Sequence, residues 1–294
     1  MAKPYYGGQA VIEGVMMKGP KNWSLAVRSP NDDIVAIDEP FKSIADRWSI
    51  FKKPLFRGIV VLIETLVLGI KTIVLSANLS LGEEGETISH KEMIATLGLA
   101  LAFVVGLFMV LPFYLTRAAS SLIENRILFA FVEGLFRISI FVIYIAVISR
   151  LKDIQRVFQY HGAEHKTIHA YEAGEELTPA NAAKYSTLHI RCGTAFMLIV
   201  MVVAIFCFSF LPTTNVLARI TGKILLIPLV AGISYEVTRI AAKYSNFWLM
   251  KVVMAPGLAL QKLTTKEPDE SQLEVAIHAL KRVLETERAQ TPDV

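Results

Sequence analysis

Apolar residues along this chain fall into long blocks rather than alternation, and the blocks set the fold class. Four of them, at about residues 93–115, 127–149, 194–212 and 222–241, are close to the roughly 20 residues a helix needs to cross a hydrocarbon core. Each is read as a transmembrane helix. A fifth block, 58–78, carries a regular polar defect: Arg57, Glu64, Lys71 and Asn78 recur every seventh residue, on one stripe of a helix. Crossing would bury Glu64 and Lys71 at a cost of about 2.5–3.5 kcal/mol per charge. That segment is therefore expected to be interfacial or re-entrant with its stripe facing water, the alternative being a stripe turned towards other helices. Residues 246–263 are apolar but interrupted by Lys251, Pro256 and Gly257, which again points to an interfacial segment.

Outside these blocks the pattern changes. Gln9–Met17, Ser24–Arg28 and Ile34–Ile37 are short strand-like runs, separated by turn residues at Gly19-Pro20 and Pro30-Asn31-Asp32-Asp33. After Pro268, Ser271 and Glu274 have capping-box spacing, and Leu273, Ile277, Leu280 and Leu284 repeat at a/d-like intervals on a charged helix. That stripe packs either on its own domain or on a partner, including a second copy. The expected architecture is a mainly α-helical polytopic membrane protein, with about four transmembrane helices plus interfacial helices and a small β-rich N-terminal cytoplasmic domain. Its divisions are residues 1–56 (β-rich), 57–92 (interfacial or re-entrant helix and linker), 93–263 (helical membrane domain, with a cytoplasmic His-rich segment at 150–193) and 264–294 (C-terminal helix and tail).

Composition agrees. Apolar residues make up 53% of the 294 and charged residues 19%, against about 25% charged in a soluble domain, and the mean hydropathy is +0.48. Arg150, Lys152, Arg156, Lys166, Lys184 and Arg191 crowd residues 150–193, whereas the loops near 116–126 and 213–221 hold only Arg117, Arg126 and Arg219. The positive-inside rule then places 150–193 and both termini in the cytoplasm of a multi-pass plasma-membrane protein. Four crossings satisfy that parity. Two cysteines make no disulfide framework, the N-terminus has no apolar signal core, and the basic residues do not interleave with aromatics as in a nucleic-acid binder.

The densest chemistry is His161-Gly-Ala-Glu-His-Lys-Thr-Ile-His-Ala-Tyr-Glu172. On a helix His161, His165 and His169 share one face, and imidazoles one turn apart chelate zinc or another divalent transition metal. His189 and Cys192, in the same loop, could complete a four-ligand site. The blander reading is a solvated interfacial face, which Gly162 would also weaken as a helix. His161-x-x-Glu164-His165 fits the H-x-x-E-H pattern in which glutamate activates a metal-bound water. That pattern needs a third ligand, for which Glu236, beside Arg239 in the last span, is available. Glu236–Arg239 and Glu133–Arg137 are ionisable pairs inside apolar helices and suggest a polar interior. The glycine-rich Gly7–Pro20 matches no phosphate loop, and Glu13 could reach a neighbouring site.

With Gly7–Pro20, His161–Glu172, His189-x-Arg191-Cys192-Gly193-Thr194 and Gly232–Arg239 together, the chain resembles the YqhQ-like bacterial membrane proteins, a family built around a domain of unknown function. The resemblance implies a predicted metal-dependent enzyme, and Ile190 stands where the family pattern has proline. Three functions compete. The first is a membrane-embedded, hydrolase-like metalloenzyme with catalytic Glu164, Glu236 and Arg239. The second is an assembly factor or scaffold holding partners, with a closed structural metal site. The third is a small transporter.

Overall fold

The computed structural model describes residues 6–81, 89–119, 123, 125–211, 215–244 and 247–290. Parts of the expected N-terminal domain (1–5), linker (82–88), third span (212), interfacial segment (246) and tail (291–294) lie outside the described residues.

The run Gln9–Met17 is not one strand. β1 (Gly7–Val11) and β2 (Gly14–Lys18) pair antiparallel around a two-residue turn, with Val11 opposite Gly14. Glu13, the second turn residue, takes a positive φ of 52°. β3 (Asn22–Arg28) and β4 (Ile34–Pro40) complete a meander of order β1-β2-β3-β4. Side-chain alternation sends Trp23, Leu25 and Val27 to one face and Ala26 to the other. Both faces are covered, which is why β2 reads as the unbroken apolar run Val15-Met16-Met17.

α1 (Phe56–Leu81) covers the first face, placing Leu68 against Val11, Met16 and Leu25, with Leu75 and Leu79 packed behind. The second face meets two helices that come later in the chain, α5 (Lys152–Ala173) and α10 (Glu270–Gln290). There Val15, Met17 and Ala26 share one core with Tyr160, Ala163, Ile277 and Leu280. The expected N-terminal domain, His-rich segment and C-terminal helix thus form a single layered unit. Leu273, Ile277 and Leu280 are buried in it and Leu284 packs against it, so the stripe that could have docked a partner is filled by the chain's own sheet. The cap of α10 also lies two residues before the expected Ser271–Glu274 box. Gln272 N–H donates to Asp269 Oδ1 at 2.9 Å, and Asp269 N–H donates to Gln272 Oε1 at 3.0 Å.

The remaining helices are mostly apolar: α2 (His90–Val105), α3 (Leu111–Ala118), α4 (Arg126–Ile148), the short α6 (Pro179–Ala182), α7 (Gly193–Phe208), α8 (Val216–Lys243) and α9 (Trp248–Thr264). A π turn, Gly106–Val110, joins α2 to α3. Among the described residues four helices are long and apolar enough to cross a membrane: Phe56–Leu81, Lys91–Ala118, Arg126–Ile148 and Val216–Ala241. The number matches the expectation but the membership differs. Residues 58–78 qualify by length and composition, whereas the expected span at 194–212 is a 16-residue helix.

The seven-residue stripe on α1 turns towards the protein rather than water. Arg57 donates to Glu236 (2.7 Å), Ser43 Oγ donates to Glu64 (2.8 Å), and Lys71 pairs with Glu39. Between the apolar helices lies a polar interior richer than the expected Glu133–Arg137 pair (2.8 Å). Arg219, expected in a loop, is on the first turn of α8 and bonds Glu133 at 2.8 Å, and Lys223 pairs with the same carboxylate. Glu133 and Arg219 are each 1% exposed and Lys223 0%, so one buried carboxylate serves three cations. The π turn aims two carbonyls at them: Phe108 O accepts from Arg137 at 2.9 Å and Met109 O from Lys223 at 3.5 Å.

Candidate metal centre

α5 is a continuous helix through Gly162, and it ends where Gly174 adopts φ 78°, the left-handed closure that glycine supplies without a Cβ penalty. Gly162 is there for contact: a Cβ would lie 2.1 Å from the backbone oxygen of Lys266, in the connection from α9 to α10. This close approach brings the end of α9 against the histidines.

The five expected ligands divide into two groups. The ligand atoms of His161, His165 and Cys192 all lie within 4.8 Å of one another, and those of His169, Glu172 and His189 do the same. In the first group His161 Nε2 is 3.2 Å from Cys192 Sγ. Its Nδ1 is 2.8 Å from the carbonyl oxygen of Thr264, and His165 Nδ1 meets the carbonyl of Thr187. A carbonyl can only accept, so Nδ1 of both rings carries the proton and Nε2 presents its lone pair. This is the tautomer that a carbonyl bonded to the far ring nitrogen imposes on ligating histidines. Cys192 is the N-cap of α7, its sulfur facing Thr194 Oγ1 at 3.1 Å.

The second group presents fewer lone pairs. His169 Nε2 is committed to the Leu188 carbonyl at 2.9 Å. His189 Nδ1 accepts from Arg191 N–H at 3.2 Å, which puts its proton on Nε2, 3.7 Å from Glu172. Gln261 of α9 clamps the His189 backbone, accepting from its N–H and donating to its carbonyl, both at 2.9 Å. Burial, with His169 and His165 alongside, pushes the His189 imidazole down to about 3.

Glu164 is 6% exposed, and burial pushes its carboxyl up, opposed by His161 and by the Gly8 N–H that donates to it. Gly8 has to be glycine here: a Cβ would stand 2.5 Å from Met16 O and 3.0 Å from Glu164 Cδ. His161, Glu164, His165 and Cys192 line a cavity of about 370 Å³, walled by β1, the start of α7 and Thr65 of α1. A second cavity of about 400 Å³ shares Gly7, Gly8, Gln9, Thr65 and Arg191 with it and extends to Lys18 and Glu64.

Glu236 and Arg239 are absent from the lining of this cavity. Glu236 is held by Arg57 instead, and Arg239 is exposed. Glu13 lies at the β-hairpin turn, paired with Arg156. Sequence reasoning missed Thr187, Gln261 and Thr264. The one signal for the last two was a pair of polar residues three apart near the end of an apolar segment.

Apolar helices compatible with a multi-pass membrane protein, joined to a sheet-and-helix unit that carries a histidine–cysteine cluster, define the class. The chain belongs to the family described as "Protein of unknown function (DUF1385)", whose model matches residues 53–286. It is 35% identical to the "Uncharacterized protein YqhQ" of Bacillus subtilis (strain 168), over 97% of this chain and 93% of that protein. No solved structure matches it. The expected family is therefore right. Neither description names an activity, and the predicted metal-dependent enzyme implied by the resemblance finds no support in them.

Proposed function

We propose that the protein is a multi-pass plasma-membrane metalloenzyme of hydrolytic type, with its centre on the cytoplasmic face. One observation carries the reading: three ligand atoms lie within 4.8 Å of one another, and in both imidazoles among them a backbone carbonyl takes Nδ1 and leaves the Nε2 lone pair open. Two histidines and a thiolate form a donor set suited to zinc, and three protein ligands leave the open fourth position of a catalytic site. A bound zinc supplies a polarised water and Lewis acidity. The protein's share is as follows. His161, His165 and Cys192 would hold the ion, and Glu164 would accept the proton of the attacking water. As the water oxygen bonds to the electrophilic centre of the substrate the bond to the leaving group breaks, and Glu164 would return the proton to that leaving group. Gly8 N–H holds the Glu164 carboxylate in place.

Metal analysis of the purified full-length protein tests this. The expected result is about one zinc per chain, lost in His165→Ala and Cys192→Ser but retained in His169→Ala and Glu164→Gln. Cobalt-substituted protein should show thiolate-to-metal absorption that Cys192→Ser removes. Protein that neither retains nor takes up zinc overturns the reading. A second reading rests on the 3.2 Å contact between Cys192 and His161: a thiol–imidazole pair acting as a metal-free nucleophile. Alkylation of Cys192 in zinc-free protein, slowed by His161→Ala, would favour it.

A further inference from the structure

The sheet, α5 and α10 share one core, so all three stand on the same side of any membrane the protein occupies. Between Pro40 at the end of β4 and Lys152 at the start of α5 the chain passes three apolar rods: α1, α2–α3 and α4. An even number of them must cross. α1 is the rod with a sheet along its flank. From Glu64, bonded to Ser43 and to the Ile44 N–H, through Leu68 and Leu75 to Leu79, the N-terminal unit accompanies it for about 22 Å of helix. Were α1 to cross, Glu39, Lys71 and the strands beside them would enter hydrocarbon, at about 2.5–3.5 kcal/mol per charge.

We propose that α1 does not cross. It lies along the cytoplasmic leaflet as an interfacial helix, seating the sheet-and-helix unit on an anionic lipid surface. Opposite the buried Leu68, Gly69, Thr72 and Ser76, the helix shows an apolar face of Ile63, Leu66, Val67, Ile70 and Ile73, each at least 40% exposed. Ahead of it the chain presents Arg47, Lys52 and Lys53 together with Trp48, 65% exposed and stacked on Phe51. Cations with an exposed aromatic beside an apolar helical face fit an anionic headgroup layer. The N-terminal end of α1 packs tightly on α8, where a Cβ on Gly58 would lie 2.7 Å from Tyr235 Cβ, so the apolar face of α1 runs on into the apolar surface of the other helices. Between α5 and α10 the same parity gives α8 a partner crossing, for which the 16-residue α7 is the shorter apolar helix available.

This inference rests on the multi-pass reading and not on the metal, and its test leaves zinc content unchanged. Cysteines are placed singly at Lys91 and Arg126 of the full-length protein, with the unsubstituted protein as background. A membrane-impermeant maleimide should label position 91 in inverted vesicles only and position 126 in intact cells only. Labelling of position 91 from outside overturns the proposal. In nanodiscs of phosphatidylglycerol brominated near the headgroup, the Trp48 emission of a Trp248→Phe protein, taken as the difference from a Trp48→Phe/Trp248→Phe protein that keeps only buried Trp23, should be strongly quenched, and less so after Lys52→Gln with Lys53→Gln. Emission insensitive to the brominated lipid overturns the lipid contact.

Discussion

Alanine at Gly162 sets two physical effects against each other. Helix propensity alone makes the change stabilising by about 1 kcal/mol. The surroundings oppose it, because the new Cβ would lie 2.1 Å from Lys266 O and 3.2 Å from Thr187 Cγ2. A comfortable C···O contact is about 3.3 Å, so the α9–α10 connection has to move by about 1.2 Å. It is not free to do so, since Lys266 N–H donates to Phe158 O at 2.9 Å, on the same face of α5. Overpacking of this kind costs about 1–3 kcal/mol, and the lost backbone bond about 1 more. After the propensity gain, Gly162→Ala destabilises by about 1–3 kcal/mol. Thr264, whose carbonyl orients His161, is two residues from the displaced oxygen, so on the proposed metal reading zinc affinity falls as well. Denaturant unfolding in detergent, followed by helical circular dichroism, measures the first effect, and competition against a zinc chelator the second. An alanine variant at least as stable as the parent, with undiminished zinc affinity, would refute the reasoning.

Removing the shared carboxylate with Glu133→Gln strands three buried cations and is expected to cost about 3–5 kcal/mol; a loss below about 1 kcal/mol in thermal unfolding in detergent would show that the cations find other partners. The His189 imidazole is held near 3 in the fold by burial and by His169 and His165, against an ordinary value of about 6.5. Its neutral form is the one the fold favours, so this contribution is whole above pH 6.5 and drains as pH falls towards 3. At its steepest it drains by about 1.4 kcal/mol per pH unit. Unfolding midpoints across that window, taken with a chelator present, should fall less steeply in His189→Gln; equal slopes would contradict the assignment.

Legibility followed the range of the interactions. The strands, most apolar helices and the histidine face were visible because periodicity is local. The stripe Leu273, Ile277, Leu280 and Leu284 announced a buried face without naming its occupant, which is a sheet some 230–280 residues earlier in the chain. Arg219 read as loop because a cation at the start of an apolar run resembles a flank; only Glu133, on a different helix, reveals it as buried. Glu236 had the right chemistry for a ligand, but Arg57 takes it. The ring nitrogens left open in the two groups depend on backbone atoms of Thr187, Thr264 and Arg191, whose positions no residue type announces.

The meeting of the chain's two ends has a consequence for biosynthesis. Asn22 Nδ2 donates to Val283 O at 3.1 Å and Tyr6 OH to Glu287 at 2.7 Å, while every apolar helix lies between those partners in the chain. At about 5–20 residues per second, the ribosome delivers α10 roughly 12–50 s after β3. Through that interval the second face of the nascent meander lacks the part of its cover that α10 supplies, while the apolar helices are being made. Completion of the sheet's second cover therefore waits for a helix translated after the described apolar ones.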